Sequence, residues 1–187
     1  MTESESTSPP EPVIRSLADG TPVRIRPLRS EDGVRIKAGL ERLSPESRRQ
    51  RFLTPLDHLT EEEIEYFANP DGIDHLGLGM ELVPENGEEP LGIGVARCVR
   101  MEEEDLAEMA IIITDEFQGL GGGTVLLTEL ARWSIRAGMP RWLGLILADN
   151  QAIRRVLERV GTEVSASALG EGVIQAIYEL NSPPEPE

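Results

Sequence analysis

Apolar residues recur along this chain with two spacings, alternate positions in some segments and every third or fourth position in others. Alternation begins in PVRIRPL, at 22–28, and predicts a strand there. The segment RWLGLILA, at 141–148, has little polar character and is expected to be a strand buried on both faces. The Asn-Gly pair in the link 84–90 indicates a hairpin between two further strands. The predicted strands cover residues 22–28, 75–83, 91–100, 106–114, 141–148 and 172–180.

Five segments have helical spacing and are predicted to be helices. We expect Ser30, Ser44 and Thr60 to cap the first three, because a hydroxyl oxygen accepts a hydrogen bond from the first helical turn. The first helix is expected to turn Val34, Ala38, and Leu40 or Leu43 inward. The predicted helices cover residues 30–43, 44–53, 59–68, the stretch from the glycine-rich turn to Gly138, and 150–161.

The order of these elements predicts an α/β fold built on one mixed sheet. A strand and several helices come first, three strands follow as a meander, and a βαβ unit precedes the last helix and strand. At 187 residues the chain fits a single domain. The tails 1–12 and 181–187 are rich in Pro, Ser and Glu and are predicted to be disordered, which leaves 13–180 as the folded domain.

The composition is that of an ordinary globular protein, with 39% hydrophobic and 28% charged residues. No apolar run approaches the roughly 20 residues needed to span a bilayer. The N-terminus lacks the features of a secretory signal. A single cysteine, Cys98, forms no internal disulfide and fits a reducing compartment. We therefore expect a cytoplasmic protein.

The net charge of −16 limits the partners. A field of this sign repels nucleic acid and anionic membranes and attracts cationic partners. A negatively charged surface is explained equally well by solubility or salt adaptation. We expect no nucleic-acid or membrane partner, and the sequence leaves open both a monomer and a homodimer.

A glycine-rich turn lies between the strand 106–114 and the following helix. Four glycines follow Gln118 within five residues. The dinucleotide fingerprint fails because Thr124 or Leu126 stands where its third glycine is required, and a P-loop needs a lysine that this turn lacks. What remains is Gln118-x-x-Gly121-x-Gly123 at a helix N-terminus, where bare backbone amides suit a pyrophosphate. The alternative is a tight turn that needs only positive φ.

This motif resembles the acetyl-CoA pyrophosphate loop of the GNAT superfamily of N-acetyltransferases. The segments LSPESRRQRF (43–52), VARCVR (95–100) and AEMAIIITDEFQGLGGG (107–123) are similar to the catalytic domain of bacterial protein-lysine acetyltransferases. The resemblance implies a GNAT acetyltransferase domain over 13–180, with a central mixed, mostly antiparallel sheet and helices on both faces.

The resemblance also implies a set of coenzyme-binding residues and acetyl-CoA as co-substrate. In this family the strand before the loop is splayed from its neighbour and its backbone pairs with the pantetheine arm. Its apolar side chains fit an ordinary core strand as well. Asn150 matches a coenzyme-contacting asparagine, and its position equally suits a helix cap. The implied residues are Ile111, Ile112, Ile113, Gln118, Gly119, Leu120, Gly121, Gly122, Gly123, Thr124 and Asn150.

Glu108 is the predicted catalytic base. By alternation it shares a strand face with Leu106, Ala110 and Ile112, and a carboxylate among apolar groups binds a proton more tightly. The resemblance places a catalytic glutamate at this position. The alternative is an exposed glutamate that continues the acidic run 102–105.

Other polar residues have weaker assignments. Cys98 is expected to fill the core. Many family members carry a tyrosine that protonates the leaving thiolate, where this chain has Leu157. Tyr178 and Ser167 are the candidates to replace that tyrosine as the proton donor.

Basic and imidazole side chains complete the candidates. Arg48, Arg49 and Arg51 are expected to form surface pairs with acids such as Glu61–Glu63, or else to contact phosphates or an acidic partner. The two histidines, His58 and His75, have no spacing that indicates a metal site.

The predicted function is acetyl-CoA-dependent N-acetyl transfer by direct attack of a primary amine, with protein lysines as the favoured acceptor. A small amine, such as a polyamine or amino sugar, is the alternative acceptor. A non-catalytic acyl-CoA sensor is the alternative from another class.

Overall fold

The structure is a computed structural model of the full chain and describes residues 8–54, 58–84, 87–103 and 105–182. Within these residues one sheet has the strand order β1-β2-β3-β4-β5-β6-β8-β7. All neighbouring strands are antiparallel except β5 and β6, which confirms the mixed, mostly antiparallel sheet. The strands are β1 (Val13–Ser16), β2 (Pro22–Pro27), β3 (His75–Leu82), β4 (Gly92–Arg100), β5 (Leu106–Ile113), β6 (Arg141–Leu147), β7 (Gly161–Gly170) and β8 (Val173–Leu180).

Helices cover both faces of the sheet. On one face, Ile112 of β5 packs in an apolar cluster with residues of the first three helices. Its neighbour Ile111 points to the opposite face and packs with α4 and α5 in the main core. The described helices are α1 (Gly33–Glu41), α2 (Pro45–Phe52), α3 (Glu61–Ala68), α4 (Gly122–Arg136) and α5 (Gln151–Val160).

The caps of the first three helices match the sequence prediction only in part. Ser44 and Thr60 accept hydrogen bonds from the third residues of α2 and α3, as predicted. Ser30 instead begins a short 3-10 turn, and α1 starts after Asp32 without a side-chain cap. Val34 is 79% exposed and Ala38 is exposed as well, so the predicted inward face of α1 is wrong at both residues, while Leu40 and Leu43 are buried as predicted.

Two edge strands were missed by the periodicity. β1 lies within the folded domain and pairs with β2, while β7 pairs with β8 along its length. In the sequence of β7, Val164, Ala166 and Ala168 alternate with polar residues. Alanine and serine are small and give a weak strand signal, and nearly all of β7 is exposed. Residues 8–12 precede β1, and most of both predicted tails, with Asn86 of the predicted hairpin turn, lie outside the described residues.

The central strands separate where the chain turns toward α4. β5 and β6 pair from Leu106 and Arg141 as far as Met109 and Gly144. Beyond that point β6 continues beside β8 alone, while β5 continues beside β4. The second half of β5 therefore has one edge that is not paired with a strand, as the resemblance to the GNAT superfamily implied.

Candidate active site

A cavity of about 580 Å³ occupies the gap between the separating strands. The end of β5, the glycine turn, the first turn of α4, and residues of α2 and α5 form its walls. Glu108 lines the same cavity. Of the predicted coenzyme residues, those in the walls are Ile111, Ile112, Ile113, Gln118, Gly119, Gly121, Gly122, Gly123, Thr124 and Asn150.

Leu120 is the exception among the predicted coenzyme residues, because the cavity walls do not include it. Its side chain packs against the main core. Its main-chain oxygen accepts a hydrogen bond from the amide of Ala18 at 2.9 Å. Leu120 thus anchors the turn to the loop after β1.

The glycine turn presents bare backbone at the start of α4. Gly121 is the N-cap residue, with φ of 82°, and has no side chain to bond the first helical turn. The amides of a first turn have no acceptor within their own helix, and the helix dipole adds partial positive charge there. Because the turn lines the cavity, these amides fit a phosphate group at its edge.

Gln118 and the cap of α2 hold the turn in place. The side-chain amide of Gln118 donates to the hydroxyl of Ser47 and to the main-chain oxygen of Ile113, both at 3.0 Å. Ser47 in turn donates to Asp115 at 2.8 Å, and the cap residue Ser44 donates to the same carboxylate at 2.7 Å. The turn, the end of β5 and α2 are therefore one hydrogen-bonded unit.

Asn150 caps α5, as one of its two predicted roles requires. Its side-chain oxygen accepts a hydrogen bond from the amide of Ile153 at 3.2 Å. The residue also lines the cavity, together with Arg155 and Arg159 of the same helix. Capping therefore fixes this amide at the wall of the cavity.

Glu108 does not have the apolar setting that strand alternation predicted. Its side chain is exposed, and the charged groups that act on it electrostatically include Arg51 and Arg97. Arg51 comes from α2, and Arg97 comes from β4, where it lies opposite Ala110. The carboxylate therefore sits in a charged part of the cavity wall.

Burial changes the acid–base behaviour of both arginines. It lowers the pKa of Arg51 to about 10, with repulsion from Arg97 adding to the effect and attraction to Glu108 opposing it. Burial likewise lowers the pKa of Arg97, against the attraction of Tyr66 and Glu108. Both side chains remain cationic at neutral pH.

Sequence reasoning missed Arg97 and misassigned Arg51. An arginine in the middle of the otherwise apolar segment 91–100 was the available signal. Arg49 forms surface ion pairs as expected, but with Glu46 and Asp149 rather than with Glu61–Glu63. The expectation of a surface pair is wrong for Arg51, which lines the cavity.

The remaining candidates lie outside the cavity walls. Cys98 is buried, as predicted, and burial raises the pKa of its thiol to about 12. Leu157 is fully buried. Tyr178 donates from its hydroxyl to Glu163 at 3.1 Å, and burial with this bond raises its pKa to about 12. Ser167 is exposed on β7.

The histidines serve no metal site in the part of the chain that the structure describes, where no cluster of metal-ligating side chains occurs. His75 is buried and stacks on Tyr66, with ring centroids 4.8 Å apart. Burial, with repulsion from Arg97, lowers its pKa to about 4 against the attraction of Asp71. His58 is exposed.

Solved structures that share this architecture include a GNAT domain and a putative acetyltransferase. The GNAT domain of S. lividans PAT superposes with a TM-score of 0.78 at 26% identity, covering 90% of this chain and 97% of that one. The putative acetyltransferase yncA from Salmonella typhimurium, solved with acetyl-CoA, gives a TM-score of 0.64 over 86% and 94% of the two chains. At 16% identity the latter shows a shared fold alone.

Sequence comparison agrees with the fold. The sequence model of the acetyltransferase (GNAT) domain matches residues 23–163. Acetyltransferase PA5475 of Pseudomonas aeruginosa is 34% identical over 141 residues, which are 75% of each chain. Acetyltransferase Pat of Mycolicibacterium smegmatis is 29% identical over 161 residues, 86% of this chain and 46% of that protein, so the chain spans under half of Pat.

The chain therefore belongs to the GNAT family of acetyltransferases. It is an acetyltransferase of a family whose co-substrate is acetyl-CoA. None of the described helices combines the length and the apolar character needed to cross a bilayer.

Proposed function

We propose that this protein transfers an acetyl group from acetyl-CoA to the ε-amine of protein lysines. The observation that carries the proposal is a single cavity lined by the unpaired edge of β5, the glycine turn and Glu108. Similarity to the GNAT domain of S. lividans PAT and to M. smegmatis Pat supports a protein acceptor. The net charge of −16 favours cationic acceptors. A cytoplasmic location fits the single buried cysteine.

The coenzyme residues act through their backbone in this proposal. Amides of Gly121, Gly122, Gly123 and Thr124 bind the pyrophosphate at the start of α4. Main-chain groups of Ile111–Ile113 pair with the pantetheine arm, because β6 leaves that edge of β5 unpaired. A main-chain amide of β5 beside the thioester oxygen stabilises the negative charge that develops there. Asn150 contacts the arm from the cap of α5.

Glu108 acts as the general base. It accepts a proton from the acceptor's ammonium group, directly or through one water, and releases a neutral amine. The amine nitrogen then forms the amide bond to the acetyl carbon, the carbon–sulfur bond breaks, and the sulfur leaves with the electron pair. No covalent enzyme intermediate is needed. Exposure of Glu108 to the cavity gives the acceptor access to the carboxylate.

The leaving thiolate takes its proton from solvent in this proposal. Leu157 replaces the tyrosine that many family members use, and it is fully buried. Tyr178 and Ser167 do not line the cavity. The cavity opens to solvent, so water reaches the sulfur without a dedicated side chain.

A small cationic amine is the second candidate acceptor, favoured by the same negative charge. A panel of lysine peptides, protein substrates, polyamines and amino sugars separates the two by free-thiol release from acetyl-CoA. Faster release with peptides or proteins supports the proposal. Release with small amines alone contradicts the protein acceptor, and tight acetyl-CoA binding without release for any amine identifies a sensor.

The base assignment is tested by Glu108→Gln. We expect kcat to fall about 100-fold or more, while calorimetry gives an acetyl-CoA affinity within about twofold of the wild type, since the backbone binds the coenzyme. Glu158→Gln, at an exposed position on α5, is the matched control and should keep full activity. Equal thiol release by wild type and Glu108→Gln would remove Glu108 from the mechanism.

A further inference from the structure

Two arginines lie close to Glu108 without an ion-pair partner. Neither Arg51 nor Arg97 forms a salt bridge with a carboxylate among the described residues. The Nη1 atom of Arg97 is buried and has no hydrogen-bond partner there. Burying a guanidinium with an unsatisfied donor is unfavourable, so such an arrangement in a cavity indicates a ligand group that completes it.

Aromatic rings hold the two guanidinium groups in position. Arg97 lies 3.9 Å from the ring centroid of Phe67, and Arg51 lies 4.8 Å from that of Phe52. A ring face attracts a cation but leaves the hydrogen atoms at the edge of the guanidinium plane able to bond. The rings therefore orient both donors and leave hydrogen-bonding capacity for an anion.

The two arginines stand where two cavities meet. A second cavity of about 90 Å³ lies beneath α1–α3 and shares the walls Arg51, Phe52, Phe67, Arg97, Ala110 and Ile112 with the larger one. Ala110 lies directly opposite Arg97 on β5, and its methyl group keeps the space beside Arg97 open. The free volume there suits a few non-hydrogen atoms rather than a second large ligand.

Glu108 alone does not balance this positive charge. It is the carboxylate whose attraction acts on both arginines, and the two guanidinium groups repel each other. One carboxylate and two arginines leave one net positive charge at the inner end of the cleft. A bound anion would neutralise that charge, and a carboxylate matches the planar fork of a guanidinium.

We propose that Arg51 and Arg97 form a subsite for a carboxylate carried by the substrate, beside Glu108 at the junction of the two cavities. The inference rests on the proposed function. With a protein lysine as acceptor, the side chain that reaches Glu108 carries no carboxylate, so the acyl group must supply it. The donor would then be the CoA thioester of a short dicarboxylic acid such as succinate. With a small amine as acceptor, the carboxylate would belong to that amine.

The transfer chemistry is unchanged by the carboxylate. The amine nitrogen forms the amide bond, the carbon–sulfur bond breaks, and the proton leaves the ammonium through Glu108. The second carboxylate of the acyl chain takes no part in bond making and stays ionised beside the arginines. The product is a lysine whose charge has changed from positive to negative.

The first test measures acyl-CoA binding without an acceptor. Succinyl-CoA is compared by calorimetry with 4-methylpentanoyl-CoA, whose isopropyl end is at the same position in the chain, has a similar size and carries no charge. We expect succinyl-CoA to bind about tenfold more tightly or better, as for other charge-assisted hydrogen bonds. Arg51→Met and Arg97→Met should each reduce the ratio of the two acyl-CoA affinities to below about threefold. Arg49→Met, on the same helix but paired with Glu46 and Asp149, should leave it unchanged.

The second test addresses the acceptor as the source of the carboxylate. Thiol release from acetyl-CoA is measured for pairs of small amines, each with a free carboxylate and as its amide. A preference for the carboxylate form that Arg97→Met abolishes assigns the subsite to the acceptor. The proposal is overturned if the two acyl-CoAs bind the wild type with equal affinity and each amine is acetylated equally fast in its carboxylate and amide forms. Both measurements use the wild type, so this outcome does not depend on whether the variants fold.

Failure of the subsite and failure of the proposed function are separable. The binding comparison needs no turnover, so a charge-dependent preference without thiol release for any amine would refute catalysis and retain the subsite. Full acetyl transfer with no preference for a carboxylate in either test would refute the subsite and retain catalysis.

Discussion

The side-chain amide nitrogen of Gln118 lies 3.0 Å from the main-chain oxygen of Ile113, five residues earlier. The same nitrogen donates to the hydroxyl of Ser47 at 3.0 Å. Two hydrogen bonds from one amide thus join the glycine turn both to the last residue of β5 and to α2. The spacing between strand and turn is fixed by this side chain.

Gln118→Leu should weaken coenzyme binding more than it weakens the fold. Leucine has a similar volume and removes both hydrogen bonds, so we expect a loss of about 1 kcal/mol in unfolding free energy. Misplacement of the turn should lower acetyl-CoA affinity about five- to tenfold. Urea unfolding and calorimetric titration measure the two effects.

Gln175→Leu is the matched control for Gln118→Leu. Gln175 lies on β8 opposite Leu145 and does not itself line the cavity, so its replacement should not change acetyl-CoA affinity. If Gln118→Leu binds acetyl-CoA as tightly as this control, Gln118 has no part in holding the turn for the coenzyme.

Gly121→Ala should destabilise both the fold and the coenzyme complex. Gly121 has φ of 82°, and an added Cβ would meet nothing within 4 Å. The cost therefore comes from the left-handed backbone, about 1–2 kcal/mol. Relief of that strain would rotate the first amides of α4 away from the cavity and lower acetyl-CoA affinity.

Gly138→Ala separates backbone strain from a role in binding. Gly138 follows α4 with φ of 76° and has equally open space for a Cβ. We expect a similar loss of stability with unchanged acetyl-CoA affinity. Matching affinity losses in the two variants would mean that instability alone weakens binding.

Gly123→Ala should weaken coenzyme binding without loss of stability. Gly123 lies within α4, and its added Cβ would sit 3.7 Å from Val156 and 3.8 Å from Ile111, which are ordinary contacts. Alanine favours a helix over glycine by about 1 kcal/mol, so the melting temperature should hold or rise. The new methyl group narrows the wall where the amides face the pyrophosphate, and calorimetry should show weaker acetyl-CoA binding.

His75→Phe should reduce the loss of stability in mild acid. Burial lowers the pKa of His75 from 6.5 to about 4, so the unfolded chain takes up a proton that the folded chain does not. Stability from this group is complete above about pH 6.5 and is lost as pH falls toward 4. Phenylalanine keeps the stacking on Tyr66 and does not titrate.

The measurement for His75 is the melting temperature at about pH 7 and about pH 5. The pKa difference is worth about 2 kcal/mol between these two pH values, so the decrease should be roughly 4–7 °C smaller for His75→Phe than for wild type. His58→Phe, at an exposed position, is the control and should follow the wild type. An equal decrease in all three proteins would show that His75 titrates normally in the fold.

The sequence predicted the central part of the fold and the turn that lines the cavity. Alternation and helical spacing are local properties, and they located six strands, five helices and the capping roles of Ser44, Thr60 and Asn150. β1 and β7 were missed because edge strands form through pairing with a neighbour. β1 has only four residues, and β7 alternates only weakly in hydrophobicity because its residues are mostly small as well as exposed.

The environment of Glu108 shows where sequence reasoning stopped. Alternation placed its side chain correctly on a face with Ala110 and Ile112, but nothing local indicated that Arg51 would approach from α2. Arg97 comes from a third segment through the register of β4 with β5. Three charged groups meet there because a helix and two strands, distant in sequence, fold together.

By itself the sequence determined the elements, the glycine turn and the family, because backbone preferences and residue spacing are written in consecutive residues. Only the tertiary structure decided where β5 separates from β6, how Gln118 ties the turn to two other elements, and which charges surround Glu108. Those relationships depend on strand register and helix packing between segments that the spacing of neighbouring residues does not connect.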